Sequence, residues 1–177
     1  MSIVSKKICL VGDFGVGKTS LIRRFVDRQF SDQYLSTVGV KISRKLVEVL
    51  PTHTTTKQDL QLLIWDIEGS TKFKAIAPTY LQGAKGALLV ADVTRPETLE
   101  HLSDHINLFL SINPQASIII ALNKIDLIEQ EKLEKLVYLN QFHDQDRVLA
   151  TYTTSAKVDI SVDEIFQTLA NKMMEKE

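Results

Sequence analysis

The chain has little with which to cross-link itself, hold a polyanion or enter a bilayer. Cys9 is its one cysteine, which excludes an internal disulfide and any cysteine metal cluster, and suits a reducing compartment. A net charge of −1, from 21 basic and 22 acidic residues, gives no basic face or tail, so nucleic acid and acidic lipid are not expected partners. No apolar run exceeds the length of a strand, and the N-terminus has no signal-peptide pattern. Internal repeats, low-complexity tracts and linkers are also missing. What is there, 177 residues with 44% apolar and 24% charged content, predicts one globular domain spanning 1–177 with a full core.

One stretch organises the rest. Gly12-Asp13-Phe14-Gly15-Val16-Gly17-Lys18-Thr19 reads G-x-x-x-x-G-K-T, follows the apolar run Ile8-Cys9-Leu10-Val11 and leads into helical spacing from Thr19 and Ser20 to Val26. The glycines therefore sit where a strand turns into a helix. Such a turn presents successive backbone N–H donors to a phosphate, and the helix N-terminus adds positive potential. Lys18 would reach the outer phosphates, and the Thr19 hydroxyl has the chemistry to ligate Mg²⁺.

Along the chain, strand-like stretches fall near 6–12, 41–50, 59–66, 86–92, 116–122 and 147–153. Helical ones fall near 17–28, 72–82, 96–112, 129–143 and 161–175. Ala87-Leu88-Leu89-Val90 and Ile118-Ile119-Ile120-Ala121-Leu122 are apolar at every position, which predicts strands covered on both faces. Val162, Ile165, Phe166, Leu169 and Met173 recur at three- and four-residue spacing, one apolar stripe of core. Only between Lys41 and Leu63 do two strands follow each other without a helix, joined through Pro51 to Thr56. The pattern predicts an α/β fold of three layers, a mixed, six-stranded, mostly parallel sheet with one antiparallel edge strand and about five helices.

Ligands of such sheets bind beyond the carboxyl ends of the strands, and other strand ends here carry matching chemistry. Asp66-Ile67-Glu68-Gly69 is a D-x-x-G: the carboxylate can hold Mg²⁺ through water, and the Gly69 N–H can approach a terminal phosphate. In Asn123-Lys124-Ile125-Asp126 the Asp126 carboxylate can accept two hydrogen bonds from guanine, a donor pair that adenine lacks. Ser155-Ala156-Lys157, after the last strand, offers a backbone N–H to the guanine oxygen.

With these four motifs in this order, the chain resembles a small GTPase of the Ras superfamily, closest to the Rab branch. Leu21-Ile22-Arg23-Arg24-Phe25, Phe30, Tyr34-Leu35-Ser36-Thr37-Val38-Gly39-Val40 and Leu63-Ile64-Trp65-Asp66 extend the likeness over essentially the whole chain. The resemblance implies a P-loop NTPase G domain that binds GTP or GDP with Mg²⁺ and signals to effectors through two switch loops. It implies that Phe30 packs against the guanine and that Thr37 ligates Mg²⁺ and touches the γ-phosphate. Residues from Asp66 to about Tyr80 would form the second switch. Exchange factors and activating proteins would be the other partners of a monomeric, cytoplasmic protein, peripheral to membranes through those partners. Ile42, Trp65 and Tyr80 match positions that form an apolar effector surface in Rab proteins; core residues are the alternative reading.

Three positions depart from the family pattern. Ser70 stands where a glutamine usually orients the attacking water, and serine is too short to reach it. Phe14 replaces a small residue and would crowd the γ-phosphate side, where an arginine finger enters. Glu68 adds a carboxylate near a site already rich in negative charge. Lys18, Thr37, Gly69 and a weakened Ser70 are thus the expected catalytic set. Intrinsic hydrolysis, roughly 10⁻⁴ per second in conventional members, is expected to be slower still, unless Glu68 or a partner's side chain replaces the glutamine. A GTP-bound scaffold that does not hydrolyse is the alternative, and a P-loop kinase acting on a small molecule is a second rival that the Asn123–Asp126 motif opposes.

Pro51–Lys57 looks longer than the equivalent Rab turn and predicts a solvated loop. His101 and His105, four apart on a helix, can bind zinc in principle, but without an apparent third ligand they are read as two solvated histidines. The ending Met173-Met174-Glu175-Lys176-Glu177 has no prenylation cysteine, and Ser2 replaces the glycine that N-myristoylation requires, so no covalent lipid anchor is expected in this sequence.

Overall fold

The computed structural model describes residues 3–33, 37–69 and 77–175. Tyr34–Ser36 and residues 70–76 lie outside the described residues, Ser70 and part of the expected second switch among them, as do Met1, Ser2, Lys176 and Glu177.

Six strands form one sheet: β1 (Val4–Val11), β2 (Val40–Val49), β3 (Gln58–Ile67), β4 (Gly86–Asp92), β5 (Ser117–Asn123) and β6 (Val148–Thr153). The order across the sheet is β2-β3-β1-β4-β5-β6. β2 runs antiparallel to β3, with Ile42 opposite Trp65 and Val49 opposite Gln58. Each remaining neighbour pair is parallel. The mixed sheet with one antiparallel edge is therefore as the hairpin pattern predicts, and each predicted strand lies within two residues of its observed bounds.

The helices are α1 (Lys18–Asp27), α2 (Ala77–Leu81), α3 (Pro96–Glu100), α4 (Leu102–Ile112), α5 (Gln130–Leu139) and α6 (Val162–Met173). The helix expected over 96–112 is two segments meeting at His101. Of the helix expected over 72–82, residues 72–76 lie outside the described residues. α5 stops at Leu139 rather than 143, where Asn140 and Gln141 turn back to bond the carbonyls of Leu136 and Val137. Those bonds occupy carbonyls that a longer helix would have used.

The fully apolar strands are apolar because each of their faces meets a different layer. Leu88 and Val90 belong to the core shared with Leu21, Phe25, Ile165 and Phe166, whereas Ala87, Leu89 and Ala91 face Leu102, Ile106 and Phe109. Alternate residues thus feed two cores, as a period of two requires. The Phe25 and Phe166 rings stack at 4.1 Å, joining α1 to α6. Cys9 is completely buried in β1, and burial pushes its thiol up to about 12. The Pro51–Lys57 turn is closed by the Thr54 N–H donating to the Pro51 carbonyl and by the Lys57–Glu48 ion pair.

Candidate functional site

The phosphate loop leaves the end of β1 and closes on the first turn of α1. Gly15 (φ 75°) and Gly17 (φ 105°) supply the left-handed turns that curl it. At Gly17 a Cβ would stand 2.3 Å from Asn123 Nδ2, so glycine is required for contact as well as for conformation. Each loop carbonyl from Gly12 to Val16 is held by a side chain. Lys18 Nζ donates to the carbonyls of Gly12 and Asp13 at 2.8 Å each. Arg95 Nη1 donates to Phe14 at 2.6 Å, Lys124 Nζ to Gly15 at 2.8 Å and Asn123 Nδ2 to Val16 at 3.0 Å. Asn123 is buried, and its Oδ1 accepts from Thr154 Oγ1. It is a girder between the ends of β5 and β6 and the loop.

Lys18 is only 6% exposed, and burial pulls its ammonium down to about 8 against the opposing pull of Asp66 and Asp13. Beside it, Thr19 Oγ1 lies 2.6 Å from Thr37 Oγ1 and 2.5 Å from Asp66 Oδ2, with Thr37 Oγ1 3.4 Å from the same oxygen. Burial raises the Asp66 carboxyl above its usual range, though Thr19 and Lys18 counter it. Among the described residues, Asp66 Oδ1 is the buried side-chain oxygen left without a hydrogen-bond partner. Two hydroxyls and a carboxylate with an orphaned oxygen are a donor set that suits a hard divalent cation.

A cavity of about 270 Å³ opens over the loop, lined by Phe14, Gly15, Gly17, Lys18, Thr19, Ser20, Thr37 and Gly69 at one end. Phe30, Asn123, Lys124, Asp126, Ala156 and Lys157 line the rest. At that far end Asp126 Oδ1 accepts from Ser155 Oγ at 2.7 Å, and Lys124 pairs with Asp92 at 2.9 Å. Ser155 is buried and does not line the cavity; it acts by orienting Asp126. Gly12, Asp13, Val16 and Asp66 also stay out of the lining. Arg23, Ser31, Asp32, Gln33, Ile67 and Leu127 line it without having been singled out from sequence. Arg24 is a further omission: it donates to the carbonyls of Ala156 and Lys157, both at 2.8 Å, fastening that loop to α1.

The D-x-x-G backbone rests on the phosphate loop. A Cβ on Gly69 would come within 2.6 Å of Asp13 C, Gly12 O and Phe14 N, so only glycine fits. The Glu68 carboxylate does not hang free near the phosphates. Its Oε2 accepts from the Gly39 N–H at 2.8 Å, while the Glu68 N–H donates to the Gly39 carbonyl at 2.9 Å. Ile42 is half exposed, and Trp65 and Tyr80, with ring centroids 6.3 Å apart, are partly buried against the core. Trp65 and Tyr80 thus rest on the core, while Ile42 presents an apolar side chain from the edge of the sheet.

The two histidines correct the sequence reading. His101 Nδ1 lies 2.5 Å from Asp13 Oδ2 and His105 Nε2 2.9 Å from Asp13 Oδ1, and the His105 side chain is only 19% exposed. A carboxylate only accepts, so both ring nitrogens carry their proton toward it. Burial pulls the Asp13 carboxyl upward, but the bonds and charges of His101 and His105 outweigh it and leave the group below its usual range. The four-residue spacing was visible in the sequence. The partner 88 and 92 residues away was not.

The Ras family model matches residues 7–175 of this chain. Ras-related protein Rab-13 of Rattus norvegicus is 32% identical, with 96% of this chain and 80% of that protein covered. Ras-related protein Rab-1 of Theileria parva is 34% identical (96% and 74% covered), and GTP-binding protein ypt5 of Schizosaccharomyces pombe 33% identical (96% and 78% covered). Taken with a phosphate loop between β1 and α1 and a guanine-type carboxylate after β5, these similarities mean that the chain belongs to the Ras family of small GTPases, and within it is Rab-like.

Proposed function

We propose that this chain is a guanine-nucleotide switch that binds GTP and GDP with Mg²⁺ at this cavity and hydrolyses GTP slowly. The observation that carries the reading is the spacing of chemistries along one cavity: the glycine-rich loop and Lys18 at one end, Asp126 at the other, and the Thr19–Thr37–Asp66 oxygens beside Lys18. Calorimetric titration with GDP and ADP, with and without Mg²⁺, tests it. Tight, Mg²⁺-dependent binding of GDP alone is expected; equal retention of ADP would refute it.

Each residue then has a task. The loop N–H groups and Lys18 would bind the phosphates and stabilise charge as it develops on them. Thr19 and Thr37 hydroxyls would hold Mg²⁺ directly and Asp66 through water, consistent with the unpaired Asp66 oxygen. When bound, Mg²⁺ supplies neutralisation of the β- and γ-phosphate oxygens. Asp126, oriented by Ser155, would accept from guanine, and the Ala156 N–H would serve the guanine oxygen. In hydrolysis, a water oxygen bonds to the γ-phosphorus as the bond to the bridging oxygen breaks; the water's proton passes to an oxygen of the transferred group, and GDP and inorganic phosphate are the products. Position is what the protein contributes.

Slow turnover rests on Ser70 and on Phe14, which lines the cavity at 46% exposure. The Glu68 carboxylate is committed to Gly39, which argues against its replacing the missing glutamine. Single-turnover hydrolysis by wild type, Ser70→Gln and Phe14→Ser tests this; a wild-type rate at or above both variants would defeat it. The same clasp favours a second reading, a scaffold held in one state, which would be recovered from purification with GTP rather than GDP. Effectors would read Ile42, Trp65 and Tyr80, and exchange and activating proteins would act on the switches of a cytoplasmic G domain spanning 1–177. No helix among the described residues is long and apolar enough to cross a membrane.

A further inference from the structure

Outside the cavity, three donors from one segment grip the front of the phosphate loop. Arg95, just before α3, donates through Nη1 to the Phe14 carbonyl, and its Nε is braced by Glu97 Oε1 at 3.1 Å. His101, between α3 and α4, and His105, on α4, hold the two oxygens of Asp13. None of the three lines the cavity, and none belongs to the motifs that mark the site.

Their effect follows from peptide geometry. A planar trans peptide points its C=O and the next residue's N–H in opposite directions. Arg95 stands off the cavity, so holding the Phe14 carbonyl toward it aims the Gly15 N–H the opposite way, while Lys124 on Gly15 and Asn123 on Val16 fix the orientation of the Val16 and Gly17 N–H groups. Arg95 is the one support of these three that comes from outside the Asn123–Asp126 motif. Asp13 is the loop's own anion. Turned toward the histidines, its charge is matched away from any bound phosphate; released, it would repel one.

We propose that Arg95, together with His101 and His105 acting through Asp13, are positioning residues that set the Phe14–Gly15 peptide for the terminal phosphates of the nucleotide. The proposal rests on the guanine-nucleotide reading above. Arg95→Ala should speed release of Mg²⁺-bound GDP about tenfold, the scale of one charge-assisted hydrogen bond, and Arg95→Lys should recover part of that loss. His101→Ala with His105→Ala should act in the same direction, while the paired Gln variants, which keep a donor, should do less.

The readouts that separate positioning from general loosening are the ³¹P shift of bound GDP and base discrimination. The β-phosphorus should move in Arg95→Ala more than the α-phosphorus, and the preference for GDP over inosine diphosphate should stay at its wild-type value, because the base end is untouched. An unchanged release rate and unchanged β-phosphorus shift in Arg95→Ala would overturn the proposal. So would a loss of affinity that tracks the melting temperature and erodes the base preference equally. If Arg95→Ala does not fold, the same comparison is made on Arg95→Lys. Failure of wild type to bind GDP at all would overturn the nucleotide reading itself, and this proposal with it.

Discussion

If a nucleotide's phosphates bind against Lys18 as proposed, binding should be a proton-linked event. In the free protein its burial brings the ammonium down to about 8, so at pH 7 it is about nine-tenths charged and at pH 8.5 about three-quarters neutral. A bound phosphate is an opposite charge in contact and raises that value, so the bound form stays protonated at both pH values. Binding of GDP at pH 8.5 should then take up about three-quarters of a proton, against about one-tenth at pH 7, and affinity should fall about fourfold, or about 0.8 kcal/mol, between them. Titrations in two buffers of different ionisation enthalpy read the uptake directly. The guanine N1–H begins to ionise in the same range and is subtracted from a titration of free GDP. Residual uptake near zero at pH 8.5 would refute the reasoning. The nucleotide-free protein gives a companion check of opposite sign. There Lys18 binds fewer protons than in the unfolded chain between about 8 and 10.5, so its penalty on stability is full below about 8 and is relieved as pH rises through that window.

Glu68→Ala removes the side-chain acceptor on the Gly39 N–H, and amide exchange at Gly39 should accelerate about tenfold or more, with the β2–β3 ladder beyond Val40 unaffected; unchanged exchange would mean the clasp is not formed in solution. Asp66→Asn removes a charge whose burial is unfavourable, so the nucleotide-free protein should melt higher while the Mg²⁺ dependence of GDP binding disappears; lower melting would contradict the burial argument. Phe166→Ala, which empties a fully buried site stacked on Phe25, should cost about 3–5 kcal/mol in denaturant unfolding, and a loss below about 1 kcal/mol would mean that α6 collapses to fill the gap.

Much of the fold was legible because its signals are local. A strand, a glycine turn and a helix follow one another between Val4 and Asp27, and alternation or its lack reports how many faces a strand buries. Ser155 was visible for the same reason, but its task was not. The stretch Ser155-Ala156-Lys157 reads as a source of a backbone N–H, and nothing local tells that the Ser155 hydroxyl is used on Asp126. Asn123 was visible as the start of the Asn123–Asp126 motif, but its bond to the phosphate loop, 107 residues away in sequence, was not. The Asp13 and Arg24 contacts were beyond reach altogether, since each joins residues brought together only when α4 or β6 packs onto the sheet. Even the histidine spacing misled, because a four-residue repeat says which face of a helix two rings share and nothing about what meets that face.

The lone thiol in β1 gives the protein a built-in reporter. Sealed among apolar neighbours and holding its proton up to about 12, Cys9 is inert to alkylating reagents in the intact fold. Its labelling therefore clocks how often the central strand comes out of the sheet, one residue stretch before the phosphate loop. Any ligand that slows that clock does so by tightening the whole molecule, with no dye or mutation needed to see it.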